Sequence, residues 1–286
     1  MGRIVVGVDG SAAADRALRW AVDEAVLHDA EVELVLGYVL RLHRPPFTAA
    51  DREVAEEAMH AIVERNAGVL RRVTWKTAVA PLLGRPYADA VLEAGEDADL
   101  IVVGSRGLGG FAELLLGATS YRVAAHATAA VAVVRGGEES DPQACLGIVV
   151  GVDGSRAAVR AVRWAFAEAV LRGVDVTMVH GYFAPSAALL SGVASPEQIE
   201  TERTRARSQA EAVVDAVLAD VDVPEGVTVT PQVVAGTPAA AILGHATAEH
   251  LTVVGTRGYG GIRRAVVGST SHQVLHHAPG PVVVVP

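Results

Sequence analysis

Residues 4–28 and 148–172 are identical at 19 of 25 positions without a gap, and both open Ile-Val-Val-Gly-Val-Asp-Gly-Ser. A match of this length cannot come from a short solenoid module, so the chain is two copies of one domain-sized unit. Its 286 residues leave each copy enough length to bury a core of its own. Whatever fold one copy adopts, the other adopts too. A motif found at the same place in both is therefore a property of the unit.

In the first copy, residues 3–8 are a short β-branched run closed by Asp9-Gly10-Ser11, which predicts a buried strand followed by a helix with Ser11 as N-cap. That helix carries Ala17, Leu18, Ala21, Val22, Ala25 and Val26 on one side and Arg16, Arg19 and Asp23 on the other, so one face packs on a sheet. Further strands are expected at 31–39, 73–80, 99–103 and 130–135, with helices at about 50–70, from Gly84-Arg85-Pro86 to about 95, and at 118–127. Pro45 and Pro46 exclude regular structure between 41 and 48. Residues 136–143, rich in Gly, Glu, Ser and Asp, read as a linker, and the same order then repeats with strands at 148–152, 175–182, 227–235, 250–254 and 281–285. The domains are placed at 1–137 and 146–286, joined by a linker at 138–145. Strands alternating with helices predict an α/β fold: two tandem Rossmann-like domains, each a five-stranded parallel sheet with helices on both faces. The hydrophobic fraction of 51% with only 4% aromatic residues, rich in Val and Ala, suits such a core.

The chemistry concentrates after the fourth strand of each copy. Val102-Val103-Gly104-Ser105-Arg106-Gly107-Leu108-Gly109-Gly110 leads to Gly117-Ala118-Thr119-Ser120, and Val253-Val254-Gly255-Thr256-Arg257-Gly258-Tyr259-Gly260-Gly261 leads to Gly268-Ser269-Thr270-Ser271. The spacing Gly-x2-Gly-x9-Gly is the same in both. Glycines admit positive φ and close backbone approach, and a helix N-terminus favours an anion, so this pattern is suited to holding phosphate. There is no Gly-x4-Gly-Lys-Ser/Thr, hence no P-loop, and the loops follow the fourth strand instead of the first, which is not the place of a dinucleotide fingerprint. Ligands of open parallel sheets bind beyond the carboxyl ends of the strands, where both the Val-Asp-Gly-Ser turn and the glycine loop belong.

Other features narrow the class. A net charge of -9 argues against nucleic acid. No apolar run approaches the roughly 18 residues of a membrane span, and a strand beginning at residue 3 predicts no signal peptide. With Cys145 alone no intrachain disulfide can form, which points to the cytoplasm. His272, His276 and His277 share a helix face but lack a third ligand at sensible spacing, so they read as solvated helix ends. Trp20 and Trp164, at matching positions, read as packing residues.

These motifs, with Gly-Arg-Pro or Gly-Thr-Pro before a helix and a closing Pro-Val-Val-Val-Val, resemble the universal stress protein family in its tandem form. The resemblance implies strand order 3-2-1-4-5, a homodimer or pairing of the two halves, and, in one branch of the family, binding of ATP, with or without a magnesium ion. By motif it puts Gly7 and Asp9, and Gly151 and Asp153, beside adenine and ribose, and the backbone of Gly37 and Gly181 against the adenine edge. Gly104, Ser105, Arg106, Gly107, Gly109 and Gly110, and their counterparts Gly255, Thr256, Arg257, Gly258, Gly260 and Gly261, would wrap ribose and phosphates. Gly117 and Thr119, and Gly268 with Ser269, Thr270 and Ser271, would complete the site, the last three donating hydroxyls. The first half departs from the pattern at Ala118, where a hydroxyl residue is expected, and at Thr128-Ala129-Ala130, which replaces a proline-containing turn. The function implied is an ATP-binding stress-response regulator with slow or no hydrolysis. An adenine-nucleotide hydrolase and a nucleotide-free structural dimer are the alternatives; the first of these needs a phosphate loop directly after strand one, where this chain has the acidic Val-Asp-Gly-Ser turn.

Overall fold

The structure, a computed structural model, describes residues 1–38, 49–107, 116–135, 145–183, 195–256 and 268–286. The first half runs β1 (Arg3–Gly7), α1 (Ala12–His28), β2 (Glu31–Tyr38), α2 (Ala49–Arg65), α3 (Ala67–Leu70), β3 (Trp75–Pro81), α4 (Tyr87–Ala94), β4 (Leu100–Gly104), α5 (Ala118–His126) and β5 (Ala130–Val134). The second runs β6 (Gly147–Gly151), α6 (Arg156–Arg172), β7 (Val176–Tyr182), α7 (Pro196–Ala219), β8 (Val229–Ala235), α8 (Pro238–Leu243), β9 (His250–Gly255), α9 (Ser269–His277) and β10 (Val282–Val285). The expected helix at 50–70 is interrupted at Asn66. The buried side-chain amide of Asn66 donates to the Ile62 carbonyl at 2.9 Å and to Asp15 of α1 at 3.0 Å, which pins the break against its neighbour.

Among the described residues, ten strands form one sheet, in the order β3-β2-β1-β4-β5-β10-β9-β6-β7-β8. Each half therefore has the order 3-2-1-4-5, with parallel pairing throughout. The halves join through the single antiparallel pair, in which Val282, Val283 and Val284 lie opposite Val133, Ala132 and Val131. Each of these two strands is a run of Val and Ala that would otherwise leave a flat apolar sheet edge, a template for aggregation, and pairing them removes both edges.

The inner strands are buried on both faces, whereas the edge strands β3 and β8 are exposed or half-buried; each face has its own core, and each core runs across both halves. Ile4, Val6, Leu34 and Val102 pack with α1 and α2, and Ile148, Val150 and Met178 continue that core under α6 and α7. Val103, Val133, Val149 and Val254 face the other way, toward α4, α5, α8 and α9. Trp20 is buried in the first of these cores, with Trp164 partly buried against it. Across the second face, α5 meets α9: the Tyr121 ring lies edge-on to His272 at 5.3 Å, and His272 stacks on His276 at 4.4 Å. These histidines therefore line a seam between the halves and are not simply solvated helix ends. Burial, followed by the charges of His272 and Arg135, holds the His276 imidazole below its ordinary pKa. Arg135, at the end of β5, donates to the Leu275 and His276 carbonyls and so neutralises the negative end of the α9 dipole. Among the described residues, no helix is long and apolar enough to cross a membrane.

Candidate functional site

The reversal of strand order falls between β1 and β4 in the first half and between β6 and β9 in the second, so the crevice for a ligand opens beyond their carboxyl ends. On one wall is the turn after the first strand. Asp9 Oδ1 accepts the Ser11 N–H at 2.9 Å, and Ser11 Oγ caps α1 by accepting the Ala14 N–H at 3.2 Å. Asp153, Ser155 and Ala158 repeat this at 3.0 and 3.1 Å. Gly10 and Gly154 sit at φ 83° and 79°, a region that a side chain would disfavour. Each aspartate is thus fixed at the sheet edge by its own turn, and each serine is already committed to the helix.

Gly7 and Gly151 serve the packing beneath. A Cβ at Gly151 would lie 2.5 Å from Ile242 Cδ1, and one at Gly7 would lie 3.2 Å from Val91. Gly37 and Gly181 likewise let a helix approach: their Cβ atoms would strike the Tyr87 ring at 2.5 Å and the Pro238 backbone at 2.6 Å. Their backbone has a second aspect. The Val35 carbonyl accepts the Val8 N–H at 2.9 Å, and Val179 accepts Val152 in the same way at 2.9 Å. Residues two apart on a strand face the same side. The N–H and C=O of Gly37 and Gly181 therefore face the space past the ends of β1 and β6, alongside the two aspartates.

The opposite wall is the glycine loop. A Cβ at Gly104 would fall 2.7 Å from the Ala13 carbonyl oxygen, and one at Gly255 would fall 2.9 Å from the Ala157 backbone. These glycines and Gly107 allow close approach and have no positive φ, whereas a Cβ at Gly117 would make only ordinary contact, 3.4 Å from the Ser105 carbonyl oxygen. Ser105 donates its N–H to Val134 O at 3.0 Å and receives the Gly117 N–H at 2.7 Å; Thr256 does the same with Val285 and Gly268, both at 2.8 Å. The loop is closed at its neck in both halves. Beyond the neck, the exposed Gly107 approaches the opposite wall, where its Cβ would meet Asp9 Oδ2 at 2.5 Å. Arg106 beside it is exposed. Gly109, Gly110, Arg257, Gly258, Gly260 and Gly261 lie outside the described residues.

Helices α5 and α9 begin at the neck. Their N-caps, Gly117 and Gly268, supply no capping side chain, unlike Ser11, Ser155, Ser195 and Thr237 at other helix starts. The first-turn N–H groups are left without intrahelical partners, beside Thr119 in one half and Ser269 and Thr270 in the other. The third hydroxyl has another duty. Ser120 donates to the Gly104 carbonyl and Ser271 to the Gly255 carbonyl, each at 2.6 Å. The expectation that Ser271 presents its hydroxyl to a ligand is therefore corrected: its one proton is directed inward, leaving Ser269 and Thr270.

One residue escaped the sequence reading. The Tyr87 hydroxyl lies 2.9 Å from the Val8 carbonyl and 2.6 Å from that of Val35, directly beneath the Asp9 turn. Burial, then the Asp9 charge, pushes its pKa well above the ordinary phenol value, so it stays a donor. The second half has no tyrosine there. His180 of β7 instead donates from Nδ1 to the matching Val152 carbonyl at 2.8 Å. The two residues occupy different elements, so duplication alone gives no signal for the exchange.

Comparison with known proteins identifies the family and the fold. The model of the universal stress protein family matches twice, over residues 1–135 and 147–286. A universal stress protein of Mycolicibacterium smegmatis is 34% identical over 99% of this chain and 96% of its own length. One from Mycobacterium tuberculosis is 30% identical, over 98% and 96%. The crystal structure of a universal stress protein from Archaeoglobus fulgidus superposes with a TM-score of 0.68 at 20% identity, covering 99% of this chain and 97% of that one, a likeness of fold. With the motif in both halves and relatives matched end to end, the chain belongs to the universal stress protein family.

Proposed function

We propose that this protein is a cytoplasmic ATP-binding regulator with one nucleotide site in each half. The observation that carries the reading is the pair of uncapped helix N-termini, α5 and α9, opening at the necks of the glycine loops opposite the Asp9 and Asp153 turns. Phosphates fit the free N–H groups and the positive end of the helix dipole. Gly37 and Gly181 supply backbone groups at the other end of the crevice for a base edge, and the two aspartates suit ribose hydroxyls. Asp9 and Asp153 are each tied into their own turn, a holding role and not that of a base for fast phosphoryl transfer, so hydrolysis is slow or absent in this reading. Occupancy then acts by reshaping the loops that a protein partner would meet.

Mass spectrometry of nucleotide retained by the purified protein, with calorimetry of the stripped protein, tests this. ATP is expected to bind and to outcompete GTP, since guanine reverses the donor and acceptor pattern that the backbone at Gly37 and Gly181 offers, and a mismatched buried edge leaves groups unpaired. Absence of any nucleotide binding would make the molecule a structural protein. Equal affinity for ATP and GTP would remove the base edge from Gly37 and Gly181.

A further inference from the structure

On the face of the sheet opposite the α5–α9 seam, α1 and α6 meet across the join between the halves, with two buried carboxylates and two partly buried basic side chains between them. Glu24 and Glu168 are each 1% exposed and occupy matching positions in the two copies. His28 and Arg172 also match each other in position, so here the duplicated sequence has diverged from a symmetric arrangement. His28 Nε2 donates to Glu168 Oε1 at 2.8 Å, and Arg172 Nε donates to Glu168 Oε2 at 3.3 Å. Arg172 also reaches across the join to Glu24 Oε1. Glu24 Oε2 has no hydrogen-bond partner, and His28 Nε2 lies 3.9 Å from it. Cys145, partly buried against the same core, also acts electrostatically on Arg172.

The charges do not balance. With the His28 imidazole neutral, two carboxylates share one guanidinium, which leaves one negative charge out of water, a state that costs several kcal/mol unless one proton is taken up by the cluster. Glu168 has both oxygens paired and is the natural carboxylate of the two. Glu24 has one oxygen orphaned and is the natural acid. We propose that Glu24 is held as a neutral carboxylic acid at the seam between the two halves, so that association of the halves takes up one proton and weakens as that proton is lost. Burial, the largest influence, raises the Glu24 pKa from 4.5 to about 7 against the opposing pull of Arg172, in agreement with this assignment. The sign follows from linkage. Between pH 4.5 and about 7 the folded state holds a proton that the unfolded chain has released, so stability falls as pH rises through that window and levels off above it.

The same three ligand atoms, from Glu24, His28 and Glu168, lie within 4.8 Å of one another and could in principle hold a divalent cation. With Arg172 already bonded to both carboxylates, such an ion would leave a buried excess of positive charge, whereas a proton leaves none. This decides for the proton.

Urea unfolding of the full chain between pH 5 and 8.5, without nucleotide, tests the proposal on wild type, Glu24→Gln and His28→Arg. The amide is isosteric with the neutral acid. The arginine rebuilds a symmetric cluster of two guanidinium groups and two carboxylates that is neutral without an added proton. Relative to either variant, the wild-type unfolding constant is expected to rise by up to about tenfold per pH unit across the window, the effect of one linked proton. If one variant fails to fold, the other still decides. Infrared difference spectra give a readout independent of stability: a buried acid C=O band in wild type at pH 6, fading with a midpoint near 7 and missing in Glu24→Gln. Equal pH slopes in wild type and variants, no acid band, or one zinc per chain retained through this cluster at neutral pH would each overturn the assignment.

Discussion

Gly104→Ala is expected to lower the stability of the protein by about 2–3 kcal/mol, and Gly107→Ala, three residues away in the same loop, to leave stability within about 0.5 kcal/mol while weakening ATP at least tenfold in the first half. The difference lies in what each new Cβ meets. At Gly104 it meets backbone, the Ala13 carbonyl oxygen at 2.7 Å and its carbon at 2.8 Å, at the start of α1. Backbone in the first turn of a helix packed on the sheet cannot step aside alone, so α1 must lift from β4. Gly255→Ala repeats the clash against Ala157 and should cost a similar amount. At Gly107 the Cβ meets the end of a side chain, Asp9 Oδ2 at 2.5 Å, on an exposed loop. A small shift of Oδ2 about the Oδ1 bond from Ser11 relieves the contact, which protects the fold but displaces the carboxylate in the crevice and fills the gap between the two walls. Urea midpoints read the first effect and calorimetry the second, with the second-half site as an internal control. Should Gly107→Ala destabilise as strongly as Gly104→Ala, or leave ATP affinity unchanged, the loop is a packing feature and not a phosphate site.

The strands were legible because each is a short apolar run between turn residues, and Ser11 was legible as a cap because nothing but local chemistry decides it. The pairing of the halves was not. A run such as Val282–Val285 says strand in either direction, and its choice of β5 as neighbour is made 150 residues away in sequence. The break at Asn66 has the same origin, since its partner Asp15 lies on another helix. In the glycine loops the geometry assigns the glycines to close approach: Gly104 makes room for a helix and Gly107 for Asp9, while Gly10 and Gly154, in the neighbouring turn, are the ones at positive φ. Ser120 and Ser271 were legible as hydroxyls but not as inward-facing ones, because the carbonyls they bond belong to a strand end 16 residues earlier.

That inward pair sharpens an asymmetry between the two sites. Ser120 and Ser271 cancel, since each holds its own strand end, and Thr119 and Thr270 match. What remains is the first residue of the helix, Ala118 in one half and the exposed Ser269 in the other. A hydrogen bond to a charged phosphate is worth about 1.5–3 kcal/mol, so the C-terminal site is expected to bind ATP roughly ten- to hundredfold more tightly. Ala118→Ser should tighten the first site and Ser269→Ala should loosen the second, with calorimetric isotherms resolving two classes in wild type and converging in either variant. One feature acts in the opposite sense. Arg135, close enough for Arg106 to depress its pKa, adds a cation in the first half where the second ends in Pro286. Its guanidinium, however, donates to the Leu275 and His276 carbonyls of α9, so its donors are directed across the seam and away from the first crevice. The hydroxyl therefore outweighs it. A tighter N-terminal site would reverse that judgement and make Arg135, with Arg106, the principal attraction for phosphate; Arg135→Gln would then weaken the first site and leave the second unchanged.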